Sequence, residues 1–263
     1  MKKKIALIAL IVLLVGGALT AIGLSLGAHT NLHWNGGFRV LDTHTERHEF
    51  NETLPAFRYI DLSVSVANVS LRHGDEYNIQ GQFIGTIDFE VQDNRLIVNA
   101  QNARFGFQIG FIGRRSSGSH VTITVPQGTT LEDVRMKVDV GNINTQAVNM
   151  IGATIHSDVG NVTVTGDLTG PNNIQSAVGN VRVEGLLTGE NTVRSDVGNV
   201  TLRLTESRDR FTYSGTADVG NLTIDGERQG SGLGGSVSHT AVDPLGTIRF
   251  DSGVGNVVVN FVG

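Results

Sequence analysis

The sequence predicts an all-β protein: a parallel β-solenoid with coils of about 19 residues, preceded by one N-terminal transmembrane helix. Three observations support this prediction. A short phrase recurs at regular spacing, apolar and polar residues alternate around each copy, and a long apolar run follows three lysines at the N-terminus. Repetition at about 20 residues is typical of solenoids, in which each repeat buries its apolar face against its neighbours.

The repeated phrase is Val-Gly-Asn, which occurs six times. The steps from glycine to glycine are 19, 19, 19, 22 and 35 residues. Glycine and asparagine are typical of tight corners, so we interpret the phrase as a structural corner. Its glycines and asparagines are Gly141, Asn142, Gly160, Asn161, Gly179, Asn180, Gly198, Asn199, Gly220, Asn221, Gly255 and Asn256.

Alternation of apolar and polar residues within each repeat indicates half-buried strands. In one repeat this pattern predicts that Val181 and Val183 point into the core and that Arg182 points out. Nineteen residues are too few for two strands and a crossover helix, which disfavours a leucine-rich-repeat horseshoe. The hand of the winding stays open.

The N-terminus is predicted to be an uncleaved signal anchor over residues 1–28. Lys2, Lys3 and Lys4 precede a run of 24 uncharged, mostly apolar residues from Ile5 to Ala28. Such a run is long enough to cross a bilayer as a helix, and it exceeds the apolar region of about 7–15 residues in a cleaved signal. We therefore expect a single-pass protein of the bacterial cell membrane with its C-terminal domain outside the cytoplasm.

The remaining chain divides by pattern into three segments. They are a juxtamembrane segment at 29–56, an irregular β opening and cap of the solenoid at 57–130 with an inserted loop near 101–120, and regular repeats at 131–263. The inserted loop alternates phenylalanine and isoleucine with small residues beside three arginines. It is either an extra strand or hairpin over the solenoid end, or an exposed loop that contacts lipid, glycan or a partner.

Two further expectations concern the chain's ends. The juxtamembrane segment holds Trp34 and two histidine pairs, His29 with His33 and His44 with His48. Each pair would share a face, and could bind a metal, only in a helix, which Gly36 and Gly37 disfavour.

At the other end, the apolar strand near Val257 would leave an edge that must be covered or used for association.

Composition limits the chemistry. The chain has no cysteine, so disulfides, thiolate metal sites and cysteine nucleophiles are excluded. Without the anchor lysines it carries 17 basic and 25 acidic residues, which argues against a nucleic-acid partner. Lys137 is the only lysine after the anchor, and no clustered acids and bases are evident. We predict a non-enzymatic protein without a cofactor.

One column of aspartates in the repeats is a candidate metal-binding site. Aspartates stand two residues before the glycine in four repeats, and Asp158, Asp196 and Asp218 are the candidate Ca²⁺ ligands among them. Ala177 interrupts the column and separates Asp158 from Asp196, which relieves their repulsion without a metal. We therefore expect a structural column with weak Ca²⁺ dependence.

Several stretches together resemble a known bacterial family. They are the signal anchor, the juxtamembrane piece from Trp34 to Phe38, the strand from Val64 to Leu71, the strand from Val121 to Pro126, and the iterated Ser-Asp-Val-Gly-Asn-Val phrase. The family is that of candidate adhesins of unknown biochemical function, the LiaG-like, membrane-anchored β-solenoid proteins of Firmicutes. The resemblance implies a cell-envelope role in adhesion or envelope stress, and it carries over no catalytic or binding residue.

The expected partners are the membrane, through the N-terminal helix, and cell-wall glycan or envelope proteins. Oligomeric state is not predicted. Two alternative functions stay open: a carbohydrate-active β-helix of the polysaccharide lyase or hydrolase kind, and a regulatory partner of a membrane sensor. A cleft with several convergent acidic and basic residues would favour the first alternative.

Overall fold

The computed structural model describes residues 32–34, 38–40, 47–102, 108–109, 118–230 and 234–263. The predicted anchor at 1–28, much of the juxtamembrane segment and most of the inserted loop lie outside these residues. Among the residues described, no helix is both long and apolar enough to cross a membrane.

The described chain is almost entirely β-strand, apart from one 3₁₀ turn at Arg208–Arg210. The strands are, in chain order, β1 Leu32–Trp34, β2 Phe38–Val40, β3 Arg47–Thr53, β4 Tyr59–Val66, β5 Asn68–Gly74, β6 Asn78–Ile84, β7 Thr86–Gln92, β8 Arg95–Gln101, β9 Gln108–Ile109, β10 His120–Pro126, β11 Thr130–Val140, β12 Ile143–Gln146, β13 Asn149–Val159, β14 Val162–Thr165, β15 Leu168–Thr169, β16 Asn172–Val178, β17 Val181–Gly185, β18 Leu187–Val197, β19 Val200–Leu204, β20 Phe211–Val219, β21 Leu222–Ile224, β22 Glu227–Gln229, β23 Gly235–His239, β24 Gly246–Val254 and β25 Val257–Phe261.

The chain divides into two units, Met1–Thr45 with Arg104–Ser117, and Glu46–Ala103 with Gly118–Gly263. The described part of the first unit is an antiparallel sheet in the order β2-β1-β9. In its register Leu32 lies opposite both Val40 and Ile109. The backbone of the juxtamembrane segment therefore pairs with that of the inserted loop.

The second unit is a solenoid of two 11-stranded sheets. The front sheet has the order β23-β20-β24-β18-β15-β13-β11-β4-β8-β7, with β16 also pairing β13 and β18. The back sheet has the order β22-β21-β25-β19-β17-β14-β12-β5-β10-β6-β3. Each coil contributes to both sheets, and successive coils pair in parallel, as in β11 with β13 and β12 with β14. The prediction of an all-β solenoid is confirmed.

The core lies between the two sheets, where inward side chains of both form one buried cluster. The predicted register is confirmed in β17, because Val181 and Val183 are fully buried while Arg182 is exposed. Each inward residue stacks on its counterpart in the neighbouring coils; Val181, for example, lies opposite Val162 and Val200. Identical apolar columns thus continue from coil to coil.

The corner glycines are required for two reasons. The six glycines of the repeated phrase have φ between +146° and +154°, a region that residues with a side chain rarely adopt. In addition, a Cβ at Gly198 would lie 2.0 Å from the carbonyl oxygen of Gly179 in the adjacent coil. The coils can therefore approach closely at this corner only if the residue has no side chain.

The coils do not stack in chain order. The last coil, β24 and β25, lies between the coil of β18 and β19 and the coil of β20 and β21, and it pairs in parallel with both. At the opposite end, the coil of β4 and β5 likewise lies between that of β11 and β12 and that of β8 and β10. The 35-residue step before Gly255 contains β22 and β23. These strands connect the end coil, formed by β20 and β21, to the last coil in the chain, which lies inside the stack.

Of the two alternatives for the C-terminal strand, covered or used for association, the structure shows the first, because the strand is covered on both sides. Strand β25 has a hydrogen-bonded neighbour on each side, β19 and β21, because the last coil is internal. The ends are instead closed by antiparallel strands: β22 and β23 at one end, and β3, β6 and β7 at the other. Strand β3, placed in the juxtamembrane segment by the sequence analysis, thus belongs to the back sheet.

We predict that Gly198→Ala destabilises the solenoid by about 2–5 kcal/mol, the combined cost of a disfavoured φ and a backbone clash. For a domain of this size that loss lowers Tm by about 5 °C or more. Circular dichroism of the purified full chain in detergent measures the shift.

Gly118→Ala is the matched control, because a Cβ there meets nothing within 4 Å and the glycine has no restricted φ. Its Tm should stay close to that of the wild type. Equal Tm values for the two variants would show that the corner does not depend on glycine.

Candidate functional site

Serine side chains hold the glycine corners together. In four of the six repeats, the serine hydroxyl three residues before the corner glycine donates to the glycine carbonyl of the adjacent coil, at 2.8–3.0 Å. The pairs are Ser157 with Gly141, Ser176 with Gly160, Ser195 with Gly179 and Ser252 with Gly198. These serines are buried, so each bond satisfies polar groups that have little access to water.

The asparagines of the phrase form a continuous ladder. Each Oδ1 atom accepts the backbone N–H of the asparagine in the next coil at 2.8–2.9 Å. Among the described residues the ladder runs through Asn68, Asn142, Asn161, Asn180, Asn199, Asn256 and Asn221. The ladder places Asn256 between Asn199 and Asn221, in agreement with the strand order.

Three of the four aspartates in the acidic column are paired with bases on their own strands. Lys137 Nζ lies 3.2 Å from Asp139, His156 Nε2 lies 2.5 Å from Asp158, and Arg194 Nε lies 2.8 Å from Asp196. The base always stands two residues before the acid, and the period of two in a strand places both on the same face. The sequence analysis missed these pairs, although this spacing was a readable signal.

The three candidate Ca²⁺ ligands lie in alternate coils. The coil with Ala177 separates Asp158 from Asp196, and the coil with Gly253 separates Asp196 from Asp218. Coils about 4.8 Å apart put Asp196 about 10 Å from each of the other two carboxylates, and Asp158 about 19 Å from Asp218. Oxygen ligands lie about 2.3–2.6 Å from Ca²⁺, so no two of the three can share one ion at this spacing.

The histidine pairs are only partly described. His29 and His44 lie outside the described residues, whereas His33 lies in β1 and His48 in β3. Neither described segment is helical, so the helical spacing on which the metal hypothesis depended does not apply to them. The part of the chain with described side chains holds no group of three or more His, Cys, Asp or Glu residues placed for a metal ion.

A ridge of valines borders the asparagine ladder. The valine of each repeated phrase is 45–53% exposed, although valine is ordinarily a core residue. In spatial order the ridge consists of Val140, Val159, Val178, Val197, Val254 and Val219. The corner therefore presents parallel columns of carboxylate, valine and asparagine side chains to solvent.

Shallow depressions lie on the outer faces of both sheets. One of about 330 Å³ on the front sheet is lined by Ser214, Thr216, Ser236, Ser238, Arg249 and Asp251. Another, of about 490 Å³, lies on the back sheet beside β3, β6 and β10. Most of the residues that line the two depressions are polar, and the back-sheet depression presents the more polar surface of the two.

The turn before β20 contains Asp209, the one described residue whose pKa departs clearly from its usual value. The Ser207 hydroxyl donates to the Asp209 carboxylate at 2.6 Å and holds the pKa of Asp209 below its usual value. Asp209 is fully exposed. The shift marks a local turn contact and not a catalytic group.

The stacked coils define a class, the parallel β-solenoids closed by antiparallel end strands. Residues 57–253 match the model of the Toastrack DUF4097 family, and the chain belongs to that family. The match covers both the irregular opening and the regular repeats. The resemblance drawn from the repeated phrase is thereby confirmed at the level of the family.

Solved structures to which this chain is similar include three bacterial proteins. A candidate cell adhesion protein from Clostridium sporogenes is 13% identical with a TM-score of 0.45, covering 82% of this chain and 100% of its own. A candidate adhesin from Bacteroides fragilis is 14% identical with a TM-score of 0.36, covering 81% of this chain and 97% of its own. A candidate lipid-binding protein from Parabacteroides distasonis is 10% identical with a TM-score of 0.28, covering 84% and 98%. No curated protein matches significantly.

We predict that the solenoid folds without Ca²⁺. Because each paired aspartate already has a base and the three candidate ligands are too far apart to share an ion, EDTA should leave the Tm of the full chain unchanged. Millimolar Ca²⁺ should raise it by about 2 °C at most, as for weak surface binding, where a loss or gain of 1 kcal/mol moves Tm by about 2–4 °C.

Asp196→Ala is the matched variant, and its response to Ca²⁺ should equal that of the wild type. A large rise in Tm with Ca²⁺ that Asp196→Ala abolishes would contradict the ion-pair interpretation of the column.

Proposed function

We propose that this protein is a non-enzymatic, membrane-anchored component of the bacterial cell envelope whose solenoid binds or scaffolds envelope material. The N-terminal run of 24 uncharged, mostly apolar residues behind three lysines supports anchoring with the solenoid outside the cytoplasm. The role in adhesion or envelope stress that the family resemblance implies is part of this proposal.

The columns at the corner are the observation that carries the proposal. Carboxylate, valine and asparagine side chains repeat in parallel from coil to coil. From Val140 to Val219 the ridge spans five coil steps, about 24 Å at about 4.8 Å each. Such extended, repetitive surfaces are what solenoids use to bind large partners at many points.

The same columns favour binding over catalysis. Catalysis requires an acid or base poised beside a reacting atom, with other groups converging on it. Here Asp139, Asp158 and Asp196 each contact a base on their own strand. The three aspartate side chains are about half exposed, and they lie in different coils along the stack. Weak, repeated contacts to one partner then add through avidity.

Protoplasts that express the full chain with a C-terminal tag test the proposal. Added protease should remove the tag while the remaining chain stays with the membrane. The same protoplasts, without protease, should retain labelled cell-envelope fragments and release no soluble sugar fragments from them.

Protoplasts that express a variant lacking residues 5–28 are the control, and they should neither expose the tag nor retain the fragments. A tag protected from protease would contradict the topology. Release of soluble sugar fragments in proportion to the protein would support the hydrolase or lyase alternative instead.

A further inference from the structure

The depression on the back sheet lies at the end of the solenoid formed by β3, β6 and β10. It has a volume of about 490 Å³ and opens to solvent. Its lining includes Glu49, Phe50, Asn51, Gln80, Gln82 and His120. Three carboxamides, one carboxylate and one imidazole thus surround a space within the range of about 300–1,000 Å³ typical of small-ligand sites.

Strand pairing arranges the polar groups in two rows. Gln82 lies directly opposite Glu49 on one side and opposite His120 on the other. In the next row Gln80 lies opposite Asn51. Residues opposite one another in paired strands share a face, so the carboxylate, carboxamides and imidazole all project to the same side.

The carboxamides are held by contacts outside the depression. Gln82 is only 8% exposed, and with its amide turned so that the oxygen faces Arg47, that oxygen would accept hydrogen bonds from Arg47 Nε at 2.6 Å and Nη1 at 3.1 Å. Asn51 Oδ1 accepts from Asn78 Nδ2 at 2.9 Å. Both amide oxygens are therefore occupied, and the two amide planes are fixed before any ligand arrives.

These groups define the chemistry of a fitting ligand. Carboxamides donate and accept hydrogen bonds, the carboxylate accepts and the imidazole does either, a mixture that complements hydroxyl groups, which also do both. Glu49 opposes anionic ligands, as does the net charge of −5. The open shape suits one unit of a longer chain better than a small molecule that must be enclosed.

We propose that this depression binds a neutral sugar unit of an envelope polysaccharide through its adjacent ring hydroxyls. The proposal rests on the proposed binding role and adds to it a location and a ligand class. Gln82, fixed by Arg47, and Glu49 opposite it make the central contacts, and the paired strands β3, β6 and β10 supply the rigid frame.

Titration of the full chain with defined neutral sugars tests the proposal, in a detergent that has no sugar headgroup. The probes are cellotetraose, maltotetraose and tetra-N-acetylchitotetraose, each beside its monosaccharide. At least one tetrasaccharide should bind more tightly than its monosaccharide. Equal affinity for both would show that a free sugar is the ligand and would overturn the polysaccharide assignment.

Matched variants locate the site. Gln82→Met keeps the side-chain length and Glu49→Gln keeps the shape, and each should weaken tetrasaccharide binding at least tenfold. Thr216→Val, in the front-sheet depression, should leave it unchanged. If Gln82→Met lowers Tm, the variant Glu49→Gln still decides the result, because Glu49 is exposed and its substitution should leave the fold intact.

Three outcomes contradict the inference. Binding that Thr216→Val weakens and Glu49→Gln does not would move the site to the front sheet. If none of the three variants affects binding, the binding site lies in neither depression. No binding of any probe, by a protein that still retains envelope fragments on protoplasts, would overturn the sugar site alone and leave the proposed function intact.

Discussion

The stack depends on how the backbone at each glycine corner satisfies its polar groups. Two groups bond directly between coils, as when Gly160 N donates to Val178 O and Val162 N donates to Asn180 O, both at 2.9 Å. The glycine carbonyl and the asparagine N–H need side chains, which the serine and asparagine of the adjacent coils supply. Because the glycine carbonyl is partly buried, leaving it without a hydrogen bond would cost about 1–3 kcal/mol. The glycine and asparagine of the repeated phrase, with the serine three residues before the glycine in four repeats, therefore satisfy the polar groups of this corner.

The same corner determines the character of the surface. Because its hydrogen bonds fix the register between coils, every residue near the glycine falls into a straight column. A column of like charges would be costly, and the chain limits that cost with a base two residues before an aspartate, as in Arg194 and Asp196, and with uncharged Ala177 and Gly253 in alternate coils. The exposed columns are thus a consequence of the fold, available for binding without further ordering.

The sequence predicts what depends on local pattern. The alternation of apolar and polar residues assigned Val181 and Val183 to the core, and the regular spacing of the repeated phrase located the corners. Coil order could not be predicted, because the coils with Gly220 and Gly255 carry the same phrase and either could stack on that of Gly198. The back-sheet depression escaped notice for a related reason: Glu49, Gln82 and His120 are brought together only by strand pairing across long stretches of chain. No local signal joins them.

The measurement that tests this account most directly is disulfide formation between engineered cysteines, since the native chain has none. Thr201 and Val258 are direct partners in β19 and β25, whereas Thr223 lies one coil farther on. Adjacent coils are about 4.8 Å apart, within the Cα separation of about 4.4–6.8 Å that a disulfide requires. Mild oxidation should therefore link Thr201→Cys with Val258→Cys within one chain. The pair Thr201→Cys with Thr223→Cys, about 10 Å apart, should stay reduced, and the reverse result would show that the coils stack in chain order and would contradict the account.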